Sequence, residues 1–186
     1  MTFDKNLYSV QVKSGQEHKA IQHMGKINKL YEYTKHMKCF APTYEKFFKR
    51  SGEIYTQLHI LFPGYVFIET NLNETEFYEY IKMIKSKYNG FINLLYCGDK
   101  ASSKISTEDL TMLRSLCNDD WCIKASKGFK DGKRITIIEG ALVGKEANIV
   151  KIISHAMKAF VEIELFGLSF TIEVGLEILN KNIVTL

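Results

Sequence analysis

Lys19, His23 and Lys26 fall four and three residues apart, with Lys13 a short way ahead of them. On a helix that spacing places all three on one face. Cationic donors in a row match a backbone of phosphates, and Gln22 beside His23 adds amide groups able to reach base edges. The plain alternative is a solvated helix face, which is what most charge runs are. Nothing in the chain groups into a catalytic set: there are no clustered carboxylates, no nucleophile with a neighbouring base and no glycine-rich phosphate loop. The chain is therefore expected to bind rather than to catalyse, and to need no cofactor.

A second cluster of informative residues is Leu61 to Glu69, LFPGYVFIE, an apolar and aromatic run broken by Pro63 and Gly64. The pair predicts a kink or bulge inside a long strand. Period two then sets Tyr65 and Phe67 on one face and Val66 and Ile68 on the other. Both faces are apolar. Helices of the chain can cover one; the other is either further core or an exposed aromatic patch of the kind that marks a partner site.

Length and composition limit the setting. The 186 residues suit one medium domain or two small ones, and 46% hydrophobic with 25% charged residues is ordinary for a soluble globular protein. A net charge of +4 is too small to argue nucleic-acid binding by itself. No apolar run reaches the roughly 18 residues that span a membrane, and the start lacks the layout of a signal peptide, so a cytoplasmic location is expected. Cys39, Cys97, Cys117 and Cys122 could make disulfides or a zinc site, but none forms a CxxC pair. Free thiols without metal are the expectation.

The elements that must carry these residues can be read in order. Tyr8, Val10 and Val12 alternate with polar residues in a first strand, and Gly15 precedes a helix from Gln16 to Tyr31 with Ala20, Met24, Ile27 and Tyr31 as its apolar stripe. Lys38 to Glu53 reads as a second strand, with a hairpin tip at Lys49-Arg50-Ser51-Gly52. Asn73 and Glu76 make a capping box before the stripe Phe77, Tyr80, Ile81, Ile84 and Tyr88, which Gly90 ends. Phe91 to Tyr96 is a short strand, and a third helix opens at Ser106 with Leu110, Leu113 and Leu116 inward. This order predicts an α+β sandwich. Lys124 to Arg134 is basic, glycine-containing and reads as a linker. Beyond it, short β-branched strands and glycine turns predict a small closed barrel, with Phe166 pointing outward beside Gly167.

The Phe-Pro-Gly-Tyr-Val-Phe run about sixty residues in, after a Tyr-x-Val-x-Val strand and a Gly-x-Glu-led helix, resembles the NusG family of transcription elongation factors. Gly132 to Ile153 resembles a KOW motif, and Leu165-Phe166-Gly167 resembles the matching turn of NusG carboxy-terminal barrels. Ala141 stands where the family usually has proline, and Ala147-Asn148 replaces the usual glycine. The resemblance implies a NusG-like amino-terminal domain over residues 1–122, a basic linker over 123–131 and a KOW-containing β-barrel over 132–186.

It also implies roles. Tyr65, Phe67 and Phe62 would dock on RNA polymerase. Lys13, Lys19, His23 and Lys26 match basic positions that contact nucleic acid in the specialised paralogue RfaH and would touch nascent RNA or non-template DNA; Gln22 joins them only through its place beside His23. Phe166 would meet a ribosomal protein or Rho. Ser126-Lys127-Gly128, the Gly-Ala-Leu-Val-Gly-Lys-Glu loop and Val174 to Ile178 look like the LoaP subgroup, whose members act as antiterminators on long operons. A monomer of that kind is the expectation. A housekeeping NusG, or a ribosome-associated KOW protein, is the alternative.

Overall fold

The computed structural model describes residues 5–87, 90–94, 104–132, 134–165 and 168–179. The elements are β1 (Asn6–Val12), α1 (Glu17–Asn28), β2 (Lys38–Phe40), β3 (Thr43–Arg50), β4 (Glu53–Ile60), β5 (Tyr65–Thr70), α2 (Glu74–Lys87) and β6 (Phe91–Leu94). Then follow α3 (Thr107–Leu116), β7 (Cys122–Ile123), β8 (Ser126–Asp131), β9 (Arg134–Glu139), β10 (Ile149–Ile153), β11 (Lys158–Leu165) and β12 (Leu168–Leu179). They form two compact units, one from Met1–Pro42 with Phe62–Leu110, the other from Thr43–Leu61 with Thr111–Leu186. The expected α+β class, with a small β domain at the carboxy-terminal end, is what forms.

The first unit is built on a four-stranded antiparallel sheet in the order β2-β5-β1-β6. Alternation brings Tyr8, Val10, Val12, Val66 and Ile68 into one core cluster with Ala20, Met24 and Ile27 of α1 and Phe77, Tyr80, Ile81 and Ile84 of α2. The capping box of α2 forms: Asn73 N–H donates to Glu76 Oε2 at 2.8 Å, and Glu76 N–H to Asn73 Oδ1 at 3.0 Å. Asp109 N–H likewise donates to Ser106 Oγ at 3.1 Å at the start of α3.

Three local expectations change. α1 stops at Asn28 rather than Tyr31 because the Thr34 hydroxyl donates to Asn28 O at 3.0 Å and so captures a carbonyl at the helix end. Lys38 to Glu53 is not one strand: Pro42 has no N–H for a ladder, so β2 stays in the first sheet while β3 begins a separate hairpin. The Pro63-Gly64 pair is a turn between β4 and β5, not a kink within a strand. Gly64 has φ +87 and Tyr65 N–H closes onto Phe62 O at 3.1 Å.

The second unit contains the β3–β4 hairpin, turned by Ser51 and Gly52 with φ of 53 and 88, both positive as a two-residue hairpin turn requires. β7 pairs with β3 in parallel, and a five-stranded sheet runs β10-β11-β12-β8-β9. Residues 126–131, expected in the basic linker, are β8, a strand of that sheet. The first half of β12 pairs antiparallel with β11; from Leu176 it pairs in parallel with β8. Gly140, just after β9, permits close approach to the start of β8, since a Cβ there would lie 2.3 Å from Ala125 O. Two carboxylates fasten the hairpin. Glu45 accepts from Lys124 Nζ at 2.8 Å and Ala125 N–H at 2.9 Å, and Glu173 from Lys46 Nζ at 2.6 Å and Lys158 Nζ at 2.9 Å.

A third carboxylate organises the first unit. Glu17, 2% exposed, accepts N–H donors from Gly64 at 2.6 Å and Gly15 at 3.1 Å. Burial by itself would raise this carboxyl, but the hydrogen bonds from its own backbone, Gly64 and Gly15 outweigh it and hold it below the usual carboxylate range. A depressed folded-state pKa stabilises above the unfolded-state value, and the contribution disappears as pH falls through the folded value. Glu17→Ala, which leaves two amides without their acceptor, is expected to cost about 1–3 kcal/mol at neutral pH. In urea unfolding followed by circular dichroism, the gap between the two proteins should shrink below the normal carboxylate range; a pH-independent gap would remove the charge from the explanation.

Candidate functional site

α1 presents cations on its flank because its inward face is occupied by Ala20, Met24 and Ile27. The helical period then places Lys19, His23 and Lys26 side by side. Lys13 joins them from the end of β1, where the register against β6 shifts between Gln11 and Val12. Such an irregularity re-aims the residues that follow. Lys13 N–H donates to Gly90 O and Gln16 N–H to Lys13 O, each at 3.0 Å, which fixes the corner.

The result is an open groove of about 560 Å³ lined by Lys13, Gln16, Lys19, Gln22, His23, Lys26 and Gly90. Among the described residues its charged lining is cationic. All five residues read from the sequence as nucleic-acid contacts are thus brought to one concavity, with Gln16 and Gly90 as additions that spacing alone did not announce. Gly90 was legible only as a helix terminator. Chemically, such a groove can neutralise phosphates and offer amide groups at the same time.

The aromatic residues divide differently. Tyr65 faces Gln11 across the β1–β5 ladder, and Phe67 faces Ser9 and, on β2, Phe40. Phe67 was expected on an accessible docking surface but is 2% exposed, with Phe62 and Phe40 rings at 5.8 and 5.9 Å. It is interior packing beneath that surface. Phe62 and Tyr65 are half-buried and flank exposed Pro63. Glu17 ties the start of α1 to Gly64, so the cationic groove and this aromatic turn are held in one frame. Phe166 lies outside the described residues.

Cys39, Cys117 and Cys122 are free, and Cys97 lies outside the described residues. Burial pushes the Cys39 thiol up to about 11 and the Cys117 thiol up to about 12, so neither is a thiolate near neutrality. Among the described residues no group of three or more His, Cys, Asp or Glu could hold a metal ion, and no helix is long and apolar enough to cross a membrane.

The first unit thus combines a sheet and helices with a cationic groove and an aromatic turn held in a fixed frame. The family model described as transcription termination factor nusG matches residues 5–114, more than half of the chain. The chain belongs to the NusG family, non-enzymatic transcription factors that bind RNA polymerase. A solved structure described as domain interaction in Thermotoga maritima NusG is similar over 94% of this chain and 94% of that one, at 17% identity with a TM-score of 0.46. The search of curated proteins gave no match.

The division of the aromatics is testable by stability. Phe67→Ala should lower the unfolding free energy by about 3–5 kcal/mol, as for a truncated core aromatic, whereas half-buried Tyr65→Ala should cost only about 1 kcal/mol. Equal costs in denaturant titrations would contradict the placement of Phe67 beneath rather than on the surface.

Proposed function

We propose that this chain is a specialised elongation factor that binds RNA polymerase and suppresses pausing or termination on selected long operons, in the manner of the LoaP subgroup. The observation that carries this reading is the groove lined by Lys13, Lys19, His23 and Lys26, with no acid in its lining among the described residues. Its charge suits a nucleic-acid backbone, and nascent RNA is the strand that identifies the operon being transcribed. Gln22 and His23 sit where base edges of a bound RNA would come.

Phe62 and Tyr65 form the accessible polymerase-docking surface, with Phe67 supporting them from below. Residues 1–122 act as the polymerase-binding part, and the strands that follow the basic segment at 123–131 form the KOW-containing part. That part meets a ribosomal protein or Rho through Phe166. The factor works in the cytoplasm alongside the transcribing enzyme and makes or breaks no covalent bond itself.

The deciding experiment is binding of the full chain to leader RNAs of neighbouring long operons at physiological salt, against a scrambled competitor. Tight binding that survives the competitor is expected. Exchange of Lys19, His23 and Lys26 for glutamine should weaken it at least tenfold and flatten its salt dependence, by close to one unit of slope for each phosphate that is no longer neutralised. The same exchange should leave polymerase binding in place. Weak, salt-sensitive and sequence-blind binding would instead assign the chain to general elongation, recruited by polymerase alone.

A further inference from the structure

Two chain segments leave the cationic groove and meet beside it. From Lys26 the chain runs through the end of α1 to Tyr31, and from Gly90 it runs back to Lys87 at the end of α2. There Lys87 Nζ donates to Tyr31 Oη at 3.2 Å and stands 5.4 Å from the centre of the same ring. Tyr33 lies next to it, its ring centroid 6.0 Å from that of Tyr31 at an interplanar angle of 51°. Tyr33 is 57% exposed, and Leu30 on the same stretch is 72% exposed.

The surroundings are strongly basic. Lys29, Lys35 and Lys38 are all exposed, and the one acid between residues 29 and 38, Glu32, is paired with Lys35. A single exposed tyrosine or leucine needs no explanation. An exposed tyrosine ring set against a second one that is half-buried on the core, among lysines on the chain that leaves the groove helix, does need one. Exposed aromatic faces framed by cations are how proteins hold unpaired bases: the ring stacks on the base while the ammonium groups follow the backbone. Paired bases are stacked on each other and have no free face to offer.

We propose that Tyr31 and Tyr33 form a stacking site for unpaired bases of RNA whose backbone continues into the groove of α1; this rests on the RNA reading of the groove. The occupant is a single-stranded RNA segment adjoining the part held by Lys13, Lys19 and Lys26. Tyr33 supplies the open ring. Tyr31 is held in place by Lys87, and Lys29 and Lys38 supply phosphate contacts on the outer side.

The test uses the full chain and fluorescence anisotropy with three labelled probes: an oligouridine RNA of about 12 nucleotides, matched to single-strand site sizes, a blunt RNA duplex of similar length, and oligothymidine of the same length. Tyr33→Ala removes an exposed side chain and should fold normally, as a thermal melt will verify. It is expected to weaken oligouridine binding about tenfold and duplex binding less than about twofold, with an unchanged salt slope, because stacking carries no counterion release. Tyr33→Phe, which keeps the ring face, should bind as the native chain does. Unchanged oligouridine affinity in Tyr33→Ala, or an equal weakening on the duplex, would overturn the stacking site while leaving the groove intact. Tighter binding of oligothymidine than of oligouridine would overturn RNA as the occupant. Failure of the Lys19, His23 and Lys26 exchange to weaken either RNA, or absence of RNA binding by the native chain, would overturn the groove reading and this inference with it.

Discussion

The first unit depends on one buried carboxylate. Gln16, at the amino-terminal boundary of α1, makes no side-chain capping bond, so the helix start is not defined locally in the usual way. Glu17 defines it from the tertiary structure instead, by taking the amides of Gly15 before the helix and Gly64 on the far loop. Gly64 in turn offers its carbonyl to Val12 N–H at 2.8 Å. One side chain therefore fixes the corner after β1, the first turn of α1 and the turn into β5. The groove cations are on the first of these pieces and along α1, and Phe62 and Tyr65 are on the third. That carboxylate adds a tie through the start of α1 to the one the β1–β5 ladder already makes between the two candidate surfaces.

The second unit uses carboxylates too, but with a different sensitivity. Glu45 and Glu173 hold the β3–β4 hairpin chiefly through lysine ammonium groups that remain partly in water. Such pairs are weakened by salt and individually contribute little. The backbone donors to Glu17 are uncharged, and the shorter of the two, from Gly64, is buried. What makes the hairpin's position specific is close backbone approach: a Cβ on Gly175 of β12 would stand 2.7 Å from Glu45 O on β3. Shape fixes the register there, and the ion pairs follow from it.

Much of this was legible in the sequence because it depends on periodicity. The stripe of α2 from Phe77 to Ile84, its Asn73–Glu76 box, the Leu110, Leu113 and Leu116 face and the clustering of Lys19, His23 and Lys26 are local patterns, and each forms, while Tyr88 lies outside the described residues. What failed to show depends on partners distant in the chain. Phe67 has the alternation of an exposed-face aromatic, yet Phe40, 27 positions away by numbering, helps to cover it; alternation names a face and not what lies over it. The end of α1 was misplaced because Tyr31 continues the apolar period while the Thr34 hydroxyl stops the helix. Strand β8 hid in a lysine- and glycine-rich stretch because its pairing with β12 and β9, not its own composition, makes it a strand. Glu17 was visible only as part of a Gly-x-Glu pattern, with nothing local to say that its carboxylate would be buried.

The arrangement also separates two tasks that a single charged patch would confound. Lysines on a flank of α1 attract any phosphate backbone, and that attraction is blind to sequence and falls steeply with salt. On the proposed reading, discrimination must come from groups whose bonds depend on orientation: the Gln22 amide, the His23 ring and the tyrosine faces beyond Lys26. Orientation counts only if the scaffold is rigid. Here the helix that carries Gln22 and His23 is packed through Ala20, Met24 and Ile27, all at most 5% exposed, and is pinned at its start by Glu17. On that reading the charges capture a strand quickly while the fixed helix tests its bases, and the same pin holds the proposed docking residues Phe62 and Tyr65 in a fixed relation to the groove. On the same reading, a nascent strand recognised in the groove would be presented in one orientation to the enzyme that is making it.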